Sequence, residues 1–574
     1  MRLVIVESPN KTRKIRDFLG PGYVVTASFG HVRDLPPTGG LGVAFAGGRV
    51  TPTYQSLEKA GRAIAELTRL AAKAEEILLA TDPDREGEAI AWHIAELLQR
   101  PCRRVTFQAI TKEAVMKAMQ APRQVDQHLV DAQQARRVLD RVVGWLVSPT
   151  LRAVGKEAKS AGRVQSVALR IVAEREAEIR AFVKADFFTL SAKLTPASGG
   201  RAFTAELIRW KGEPLAHRLA DGDTAEKTVA WCRKQPWQVL HCERRESAKP
   251  PPPPFTTATV QQAASVALKL APDATMKLLQ ELFEDGHITY HRTDSVALAP
   301  EAIAAARALI ARNFAPDYLP TSPVIHGQKS ANAQEAHEAI RPTHPEETPV
   351  LGGDRAALYD LIRTRFLACQ MAAGRDAVTT LDVACAPGAW NGGPMGVFQA
   401  KGLQVLFDGW RKMTADATEE PKRKTKDDAP VAARLPTVEA GDALTLEDLA
   451  AKAKSTKPPP RYTQASLIKK LEALGVGRPS TYAATLATLF ARTYVGEEKR
   501  LLLATDLGMA VTDFLKRFYG GDFIDPDYTA RMEGALDAVA RGERDWQDLV
   551  THAASALLVR AKTAGLRGDP LAGT

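Results

Sequence analysis

The stretch Ile77-Leu-Leu-Ala-Thr-Asp82-Pro-Asp84-Arg-Glu86-Gly-Glu88 sets the fold class of this chain. Its short apolar run predicts a buried strand, and Gly87 with the following Ala-Ile-Ala-Trp-His predicts the start of a helix. Carboxylates at alternate positions of an extended loop point the same way, at the sheet edge where α/β proteins bind ligands. Such oxygen ligands suit Mg²⁺. Most isolated Asp-x-Asp pairs are solvated acidic turns, so the stretch alone leaves that alternative open.

A second apolar strand that ends in an acid lies at the N-terminus, in Leu3-Val-Ile-Val-Glu7-Ser-Pro-Asn-Lys11. If the two strands are neighbours in a parallel sheet, Glu7 lies beside Asp82 and Asp84, and Lys11 is within reach of an anion held there. Glu7 taken alone is an ordinary surface acid. Two matching strand ends favour a site, and four apolar residues followed by an acid do not fit a signal peptide.

The size and charge of the chain indicate a multidomain globular protein with a polyanionic partner. Its 574 residues predict three or four domains, and 77 Lys+Arg against 67 Asp+Glu give a net charge of +10. No run approaches the ~20 apolar residues of a membrane span. The five scattered cysteines fit a reducing cytoplasm and show no zinc-ribbon spacing. No P-loop or HExxH motif is present.

A basic segment between residues 136 and 170 is predicted to be helical. It holds eight basic residues and two acids: Arg136, Arg137, Arg141, Arg152, Lys156, Lys159, Arg163 and Arg170 against Asp140 and Glu157. Arg137, Arg141 and Trp145 follow one another at helical spacing, which suits a single strand held by its phosphates and one stacked base. A solvated helix face with a core Trp remains the alternative. Ser160-Ala-Gly-Arg-Val-Gln-Ser opens a second helix, whose start suits a phosphate.

A second chemical centre is predicted in Gly286-His-Ile-Thr-Tyr290-His-Arg292-Thr-Asp294-Ser. A tyrosine activated by its neighbours is a possible covalent nucleophile, and Arg292 can neutralise a phosphate under attack. Downstream, His337 could hold a phosphate or a phenolic proton. Taken separately, Tyr290 and His337 are more often structural residues.

These motifs together resemble those of the type IA DNA topoisomerases, in particular the bacterial topoisomerase I branch. They occur in family order over roughly residues 1–550: Val4-Ile-Val-Glu-Ser-Pro, Gly30-His-Val-Arg-Asp-Leu-Pro, Asp82-Pro-Asp-Arg-Glu-Gly-Glu, Ala135-Arg-Arg-Val-Leu-Asp-Arg, Ser160-Ala-Gly-Arg-Val-Gln-Ser, Pro254-Phe-Thr-Thr, Ile288-Thr-Tyr-His-Arg-Thr-Asp-Ser, Asn332 to Pro342, and Gly477-Arg-Pro-Ser-Thr-Tyr.

The resemblance implies a multidomain α/β plus α fold, in which an N-terminal Rossmann-like Toprim domain joins a toroidal core of helical domains and a strand-rich arch. The implied divisions are 1–122 for the Toprim domain, with 35–61 packing on the helical domain; 123–182 and 448–574 for the helical single-strand-binding domain; 183–249 and 373–447 for the arch; and 250–372 for the helical domain that carries the tyrosine.

The family mechanism implies a role for each matching residue. Tyr290 would attack a phosphodiester of single-stranded DNA to give a 5′-phosphotyrosine and a free 3′-hydroxyl. Arg292 would stabilise the attacked phosphate, while Lys11 and Glu7 would handle phosphate and leaving-group proton. His337 would support the phosphate. The implied metal ligands are Asp82, Asp84, Glu86 and Glu7, and the implied DNA contacts are His31, Arg136, Arg137, Arg141, Trp145, Arg163, Asp294, Arg478 and Thr481.

The same resemblance implies Mg²⁺, with Mn²⁺ or Ca²⁺ as substitutes, needed more for resealing and full relaxation than for cleavage. It implies neither ATP nor zinc in this chain. The expected partners are single-stranded and negatively supercoiled DNA, with no membrane, and the expected state is a monomer in the bacterial cytoplasm, at the nucleoid. Competing hypotheses are a Toprim nuclease or primase-like enzyme, which has no use for Tyr290, and a non-catalytic DNA-binding protein.

The sequence departs from the usual family pattern at several positions. His291 stands where Met is common, which predicts a titrating group beside the nucleophile. Trp145 stands where Tyr is frequent, and Ala258 interrupts a Thr-Thr-Ser-Thr run. No Cys follows Cys385, so the C-terminal zinc ribbons of many relatives are not expected here. We therefore expect cleavage and resealing with weak or distributive relaxation.

Overall fold

The computed structural model describes residues 1–215, 219–327, 338–413 and 435–571. The strands of these residues are β1 (Arg2–Val6), β2 (Tyr23–Ala27), β3 (Arg33–Asp34), β4 (Val43–Ala46), β5 (Arg49–Pro52), β6 (Gln55–Ser56), β7 (Glu76–Ala80), β8 (Arg103–Arg104), β9 (Asp186–Pro196), β10 (Phe203–Trp210), β11 (Glu213–Pro214), β12 (Trp237–Lys249), β13 (Gly374–Cys385), β14 (Gly396–Phe407), β15 (Ala443–Ser455), β16 (Val495–Glu498) and β17 (Leu501–Ala504).

The α-helices of the described residues are α1 (Pro9–Leu19), α2 (Gly61–Ala71), α3 (Arg85–Leu98), α4 (Lys112–Gln120), α5 (Gln127–Val147), α6 (Arg163–Arg180), α7 (Gly222–Cys232), α8 (Thr257–Ala267), α9 (Pro272–Glu284), α10 (Pro300–Asn313), α11 (Gly353–Ala368), α12 (Gln464–Ala473), α13 (Tyr482–Ala491), α14 (Asp506–Tyr519), α15 (Pro526–Ala540) and α16 (Trp546–Thr563). Short 3₁₀ turns lie at Glu58–Ala60, Ser148–Ala153, Pro316–Tyr318 and Gly409–Met413.

The first sheet is parallel, in the strand order β2-β1-β7-β8. Its central strands β1 and β7 are apolar runs with both faces covered, as parallel strands require. Val6 is paired with Ala80, so the residues after the two strands, Glu7 and Thr81, leave the sheet at the same edge. The predicted adjacency of the two strands is therefore correct.

The two faces of this sheet pack against different partners. Leu3, Ile5 and Leu79 pack against α2 and α3. Val4 and Leu78 face the other way, into a core shared with the helices α8, α9 and α11. The helical segment inserted after β12 is thereby joined to the sheet by buried apolar contact.

A separate helical core joins the middle and the end of the chain. Helices α5 and α6 bury their apolar faces against α12 to α16. Leu35, Leu41, Val43 and Val50, from the segment that contains β4 and β5, belong to this core as well. Residues more than 300 positions apart in sequence thus form one packed unit, in which α5 packs against α3.

A seven-stranded antiparallel sheet accounts for the strand-rich regions on both sides of the inserted helices. Its order is β11-β10-β14-β13-β12-β15-β9, and an additional β10–β9 pairing closes it on itself. The long pair β12–β13 carries the chain out to the inserted helices and back. No helix among the described residues is long and apolar enough to cross a membrane.

Candidate active site

The loop after β7 is held in place before any ligand is considered. Asp84 is the N-cap of α3, and its Oδ1 accepts a hydrogen bond from the Gly87 amide at 2.8 Å. A Cβ on Gly87 would lie 2.1 Å from the Asp82 carbonyl oxygen, so glycine is required there by close approach and not by a left-handed φ. Buried Arg104 donates to the carbonyls of Thr81 and Asp82 at 2.9 and 2.5 Å.

Tyr290 reaches this loop from the other half of the chain. It lies in the irregular segment between α9 and α10, and its amide donates to the Gln108 carbonyl at 2.8 Å. Its hydroxyl donates to Asp84 Oδ2 at 2.7 Å, and its ring packs edge-on against Phe283. The side chain is 1% exposed. Burial first, then the negative charges of Asp84 and Asp82, raise the pKa of the phenol, which is therefore protonated at neutral pH.

Lys11 is buried beside the same acids. The first turn of α1 places it there, because Ser8 caps the helix and Pro9 occupies its first turn. Its Nζ forms an ion pair with Asp82 Oδ1. Burial opposes the charged form, but Asp82 and Glu7 outweigh it and raise the pKa of Lys11.

Glu7 is the acid of this group whose pKa is raised toward neutral pH. Burial and the nearby charge of Asp82 raise its pKa to about 7, with Lys11 opposing them in part. A carboxyl group that is half protonated at neutral pH can deliver or accept a proton during turnover. The sequence predicted the position of Glu7 but not this property, which depends on how closely the acids are packed.

Arg292 lies two residues after the phenol and faces the acids too. Its Nη1 is 3.7 Å from Asp84 Oδ2, and Tyr290 first, then Asp84, raise the pKa of the guanidinium. Asp84 therefore lies between a phenol and a permanent cation. This is the arrangement expected where negative charge on a phosphate must be balanced.

Glu86 points away from this group, toward α5. Its carboxylate is 3.3 Å from His31 Nε2 and accepts from Gln133 Nε2 at 3.1 Å. These bonds and the charge of Arg136 outweigh burial and lower the pKa of Glu86 to about 2. Gln133 was not predicted from the sequence; its place next to the Ala135-Arg-Arg motif was the available signal.

Most of the arginines predicted to bind DNA form ion pairs or hydrogen bonds within the protein itself. Arg137 forms a two-bond ion pair with Asp34 at 2.8 Å, and Arg141 donates to the carbonyls of Leu35 and Pro36. Both lie on one face of α5, as predicted, but that face packs on the end of β3 and the residues after it, and is not a solvated stripe. Trp145 is half-buried against the helical core.

A buried ionic network contains three further predicted arginines. Arg163 bridges Asp140 and Glu533, with Arg136 3.9 Å from Glu533. Arg478 pairs with Asp537 at 2.5 Å, and Arg85 pairs with the same acid at 2.6 Å. The sequence offers no way to foresee this, because Glu533 and Asp537 lie on α15, about 400 residues from Arg136.

The other residues predicted to bind DNA or phosphate are Thr481, Asp294 and His337. Thr481 caps the turn before α13 by accepting from the Arg478 amide at 2.8 Å. Helix α13 begins at Tyr482, directly after this turn. Asp294 lines a cleft of about 650 Å³ together with Glu472. His337 lies outside the described residues.

Comparison with known proteins shows the family to which the chain belongs. Residues 2–110 match the Toprim domain, and residues 124–551 match the family described as DNA topoisomerase. Proteins named DNA topoisomerase 1 are 41% identical in Zymomonas mobilis (96% of this chain, 45% of that protein), 38% in Campylobacter jejuni (95% and 77%) and 39% in Escherichia coli (96% and 65%).

The full-length topoisomerase I structure from Thermotoga maritima superposes with a TM-score of 0.81 at 33% identity, covering 97% of this chain and 90% of that one. The chain belongs to the bacterial DNA topoisomerase I family. The predicted fold class and the family resemblance are confirmed. The chain spans less than half of the Zymomonas mobilis relative and about two thirds of the Escherichia coli one.

The oxygen atoms of Glu7, Asp82, Asp84 and Glu86 do not form a compact set of magnesium ligands. Among the described residues, no three of Glu7, Asp82, Asp84 and Glu86 bring ligand oxygens within 4.8 Å of one another; only the exposed trio His344, Glu346 and Glu347 meets that limit. Mg²⁺ is usually held by one or two carboxylates with waters and phosphate oxygens. Burial first, then the charges of Asp82 and Asp84, raise the pKa of Glu7, so a cation bound among these acids would favour its charged form.

His291 was predicted to be a titrating group beside the nucleophile. It is 1% exposed, and its ring centroid is 5.4 Å from that of Tyr290. Burial, then the positive charge of Arg292, lower the pKa of His291 to about 3. The imidazole is therefore neutral near pH 7, and the expectation of a group titrating at physiological pH was wrong.

Proposed function

We propose that this chain is an ATP-independent type IA topoisomerase, which relaxes negatively supercoiled DNA by cutting and resealing one strand through Tyr290. One observation carries the proposal: the phenol donates to Asp84 Oδ2 at 2.7 Å across 206 residues of sequence. A Toprim nuclease or primase would have no use for a buried phenol there. A non-catalytic DNA-binding protein would not need a carboxyl group whose pKa is about 7 beside it.

In the cleavage step, the phenolic oxygen of Tyr290 forms a bond to phosphorus as the bond between phosphorus and the 3′ oxygen breaks. Asp84 already accepts the phenolic hydrogen bond and takes that proton. Glu7, half protonated near neutral pH, delivers a proton to the departing 3′ oxygen. Resealing reverses both transfers. The phosphotyrosine conserves the bond energy, so no nucleotide is required.

Arg292 and Lys11 supply positive charge on the two sides of the reacting phosphate. Arg292 faces Asp84, and Lys11 faces Asp82, so each cation is held in place by an acid before DNA binds. Asp82, Asp84 and Glu7 would hold Mg²⁺. When bound, the ion would balance phosphate charge and align the broken ends.

Access requires movement, because Tyr290 is 1% exposed. Contacts between the segment that carries Tyr290 and the first sheet's domain include Asn10 with Glu284 at 2.8 Å. We propose that these contacts separate for strand entry and passage. We further propose that the enzyme acts as a monomer on DNA in the bacterial cytoplasm, since the relatives named above are bacterial.

The test uses single-stranded DNA labelled at each end in turn. After denaturation, wild type should leave a covalent protein–DNA adduct with the label retained on the 5′-phosphate side. Tyr290→Phe removes only the hydroxyl and should leave no adduct, while Tyr318→Phe, a matched loss of a hydroxyl that contacts Asp408, should leave it unchanged. An adduct that survives Tyr290→Phe would refute the proposal. Relaxation of supercoiled plasmid with Mg²⁺ then tests the complete reaction.

A further inference from the structure

Phe29 is the most exposed aromatic side chain among the described residues, at 67% of its surface. Trp390, at 37%, is the other aromatic residue among the large exposed hydrophobic side chains of the described residues. An isolated exposed apolar residue is common and needs no explanation. Phe29 differs because its backbone is held in an uncommon conformation and because of what lies beside it.

The backbone of Phe29 adopts a φ of +60°, in the left-handed region that bulky residues seldom occupy. The loop is fixed on both sides of it. The Ser28 amide donates to the Val6 carbonyl at 2.9 Å, and the Gly30 amide donates to the Glu7 carbonyl at 3.1 Å. Such strain persists only where the surroundings impose it, and it concentrates at functional sites. The end of β1 therefore directs this ring outward.

The anchor of the loop is also part of the candidate active site. Gly30 bonds to the carbonyl of Glu7, whose carboxylate interacts with Asp82 and Lys11. Two residues after Phe29, His31 contacts Glu86. The exposed ring thus belongs to the same edge of the sheet as the acids.

We propose that Phe29 is a stacking platform for one base of the single strand, at a nucleotide adjacent to the cut; this inference rests on the proposed function. A flat ring without polar atoms, on a sheet edge that also carries Lys11, matches a nucleobase whose phosphate is bound by a cation. A single ring surrounded by Gly30 and polar groups is too small a patch for a protein partner. Stacking on it discriminates little between bases, since every base has a π-face.

The contact orders the strand independently of the cations. A base held on Phe29 fixes one nucleotide next to the scissile bond, so the phosphate is presented to Tyr290 in one register. Phe29 is in this sense a positioning residue: it touches the substrate away from the reacting atoms. Its removal should weaken binding and lower the yield of cleavage without altering which residue forms the adduct.

The experiment measures affinity for a fluorescein-labelled single strand by anisotropy, in a Tyr290→Phe background that cannot cleave. Phe29→Ala should weaken binding about tenfold, the order that one stacked base contributes. Phe29→Tyr should bind like the parent, and Phe29→Leu, which keeps apolar bulk without a π-face, should resemble Phe29→Ala. Trp390→Ala, the matched loss of an exposed aromatic ring in the loop between β13 and β14, should leave affinity unchanged.

A set of strands with a single abasic site, moved one nucleotide at a time, locates the partner base. At one position adjacent to the mapped cut, the abasic strand should bind the parent about tenfold more weakly and should be insensitive to Phe29→Ala. Effects that add at every position, or an affinity that Phe29→Ala leaves unchanged, would overturn the stacking proposal. Loss of the covalent adduct from wild type would instead overturn the proposed function, so the two failures are distinguishable.

Discussion

The raised pKa of Glu7 makes the pH dependence of cleavage a quantitative test of the mechanism. If Glu7 delivers the proton to the 3′ oxygen, cleavage requires its protonated form. With a pKa of about 7, that form is roughly one half of the protein at pH 7 and about one tenth at pH 8, and cleavage should fall about tenfold per pH unit above that. This decrease, the alkaline limb of the pH profile, is measured by single-turnover cleavage of a short labelled strand from pH 5.5 to 9 with EDTA present.

Glu7→Gln is the matched variant, because it keeps the shape of the side chain and removes the titration. Its cleavage rate should be lower by roughly 10²- to 10⁴-fold, the usual value for a positioned acid, and should not fall between pH 6 and 8. Added Mg²⁺ should move the limb of wild type to lower pH, since a nearby cation favours the carboxylate. A wild-type profile that is flat from pH 6 to 8, or a limb that persists in Glu7→Gln, would refute the assignment.

The same pKa shift has a consequence for stability that does not involve DNA. The folded protein holds the Glu7 proton to higher pH than the unfolded chain, whose carboxyl has the ordinary value of 4.5. The contribution of Glu7 is therefore most favourable below pH 4.5 and is lost as pH rises toward 7. Glu7→Gln should unfold at a higher temperature than wild type at pH 8, with the difference shrinking at pH 5, in thermal melts followed by circular dichroism.

Three further predictions concern the neighbours of Glu7. Lys11→Met leaves buried Asp82 without its ion-pair partner and should lower the free energy of local unfolding by about 3–5 kcal/mol, which amide hydrogen exchange would show as faster exchange in β1 and β7. Adding Asp82→Asn should restore most of the protection. Exchange that stays slow in Lys11→Met alone would contradict the pairing. Gly87→Ala places a Cβ 2.1 Å from the Asp82 carbonyl oxygen and should abolish adduct formation with little change in helical circular dichroism, whereas near-normal adduct yield would show that the loop can relax. His291→Met should leave the pH profile of cleavage unchanged from pH 5 to 9, because the pKa of His291 is about 3; a limb lost in this variant would show that His291 titrates in that range.

The arginines of α5 and α6 affect how the proposed DNA substrate would be bound. Arg137 is paired with Asp34 and Arg163 with Glu533, so much of the positive charge counted in the sequence is already neutralised within the protein. Phosphates would have to replace these carboxylates or bind the faces of the guanidiniums that remain exposed. The +10 net charge indicates a polyanionic partner, but it does not say which arginines are available to it.

Local sequence was sufficient for the strand ends and for the acids placed at them. The apolar runs before Glu7 and Asp82 predict buried strands because only a parallel sheet covered on both faces accommodates them. Ser8-Pro9 and Asp84 predict helix starts through capping, and Gly87 marks a close approach of the backbone. Each of these signals is complete within about ten residues.

Pairings between distant segments were beyond the reach of the sequence. Glu533 and Asp537 neutralise arginines about 400 or more residues away in two of their ion pairs. Leu35, Leu41, Val43 and Val50 pack into a core that joins α5 and α6 to the C-terminal helices. Periodicity shows that α5 has a charged face; it does not show what covers it. The buried acids on α15 could have been singled out as unusual only once their burial was known.

The sequence by itself determined the family and the sheet edge with its acids, and it singled out the phenol and guanidinium that contact those acids. The tertiary structure decided what those groups do to one another. Packing Glu7, Asp82 and Lys11 together out of water brings the pKa of Glu7 to about 7, and burial holds His291 neutral. The physical reason is that proton affinity depends on solvent exclusion and on charges brought close in space, and the linear order of residues encodes neither distance nor burial.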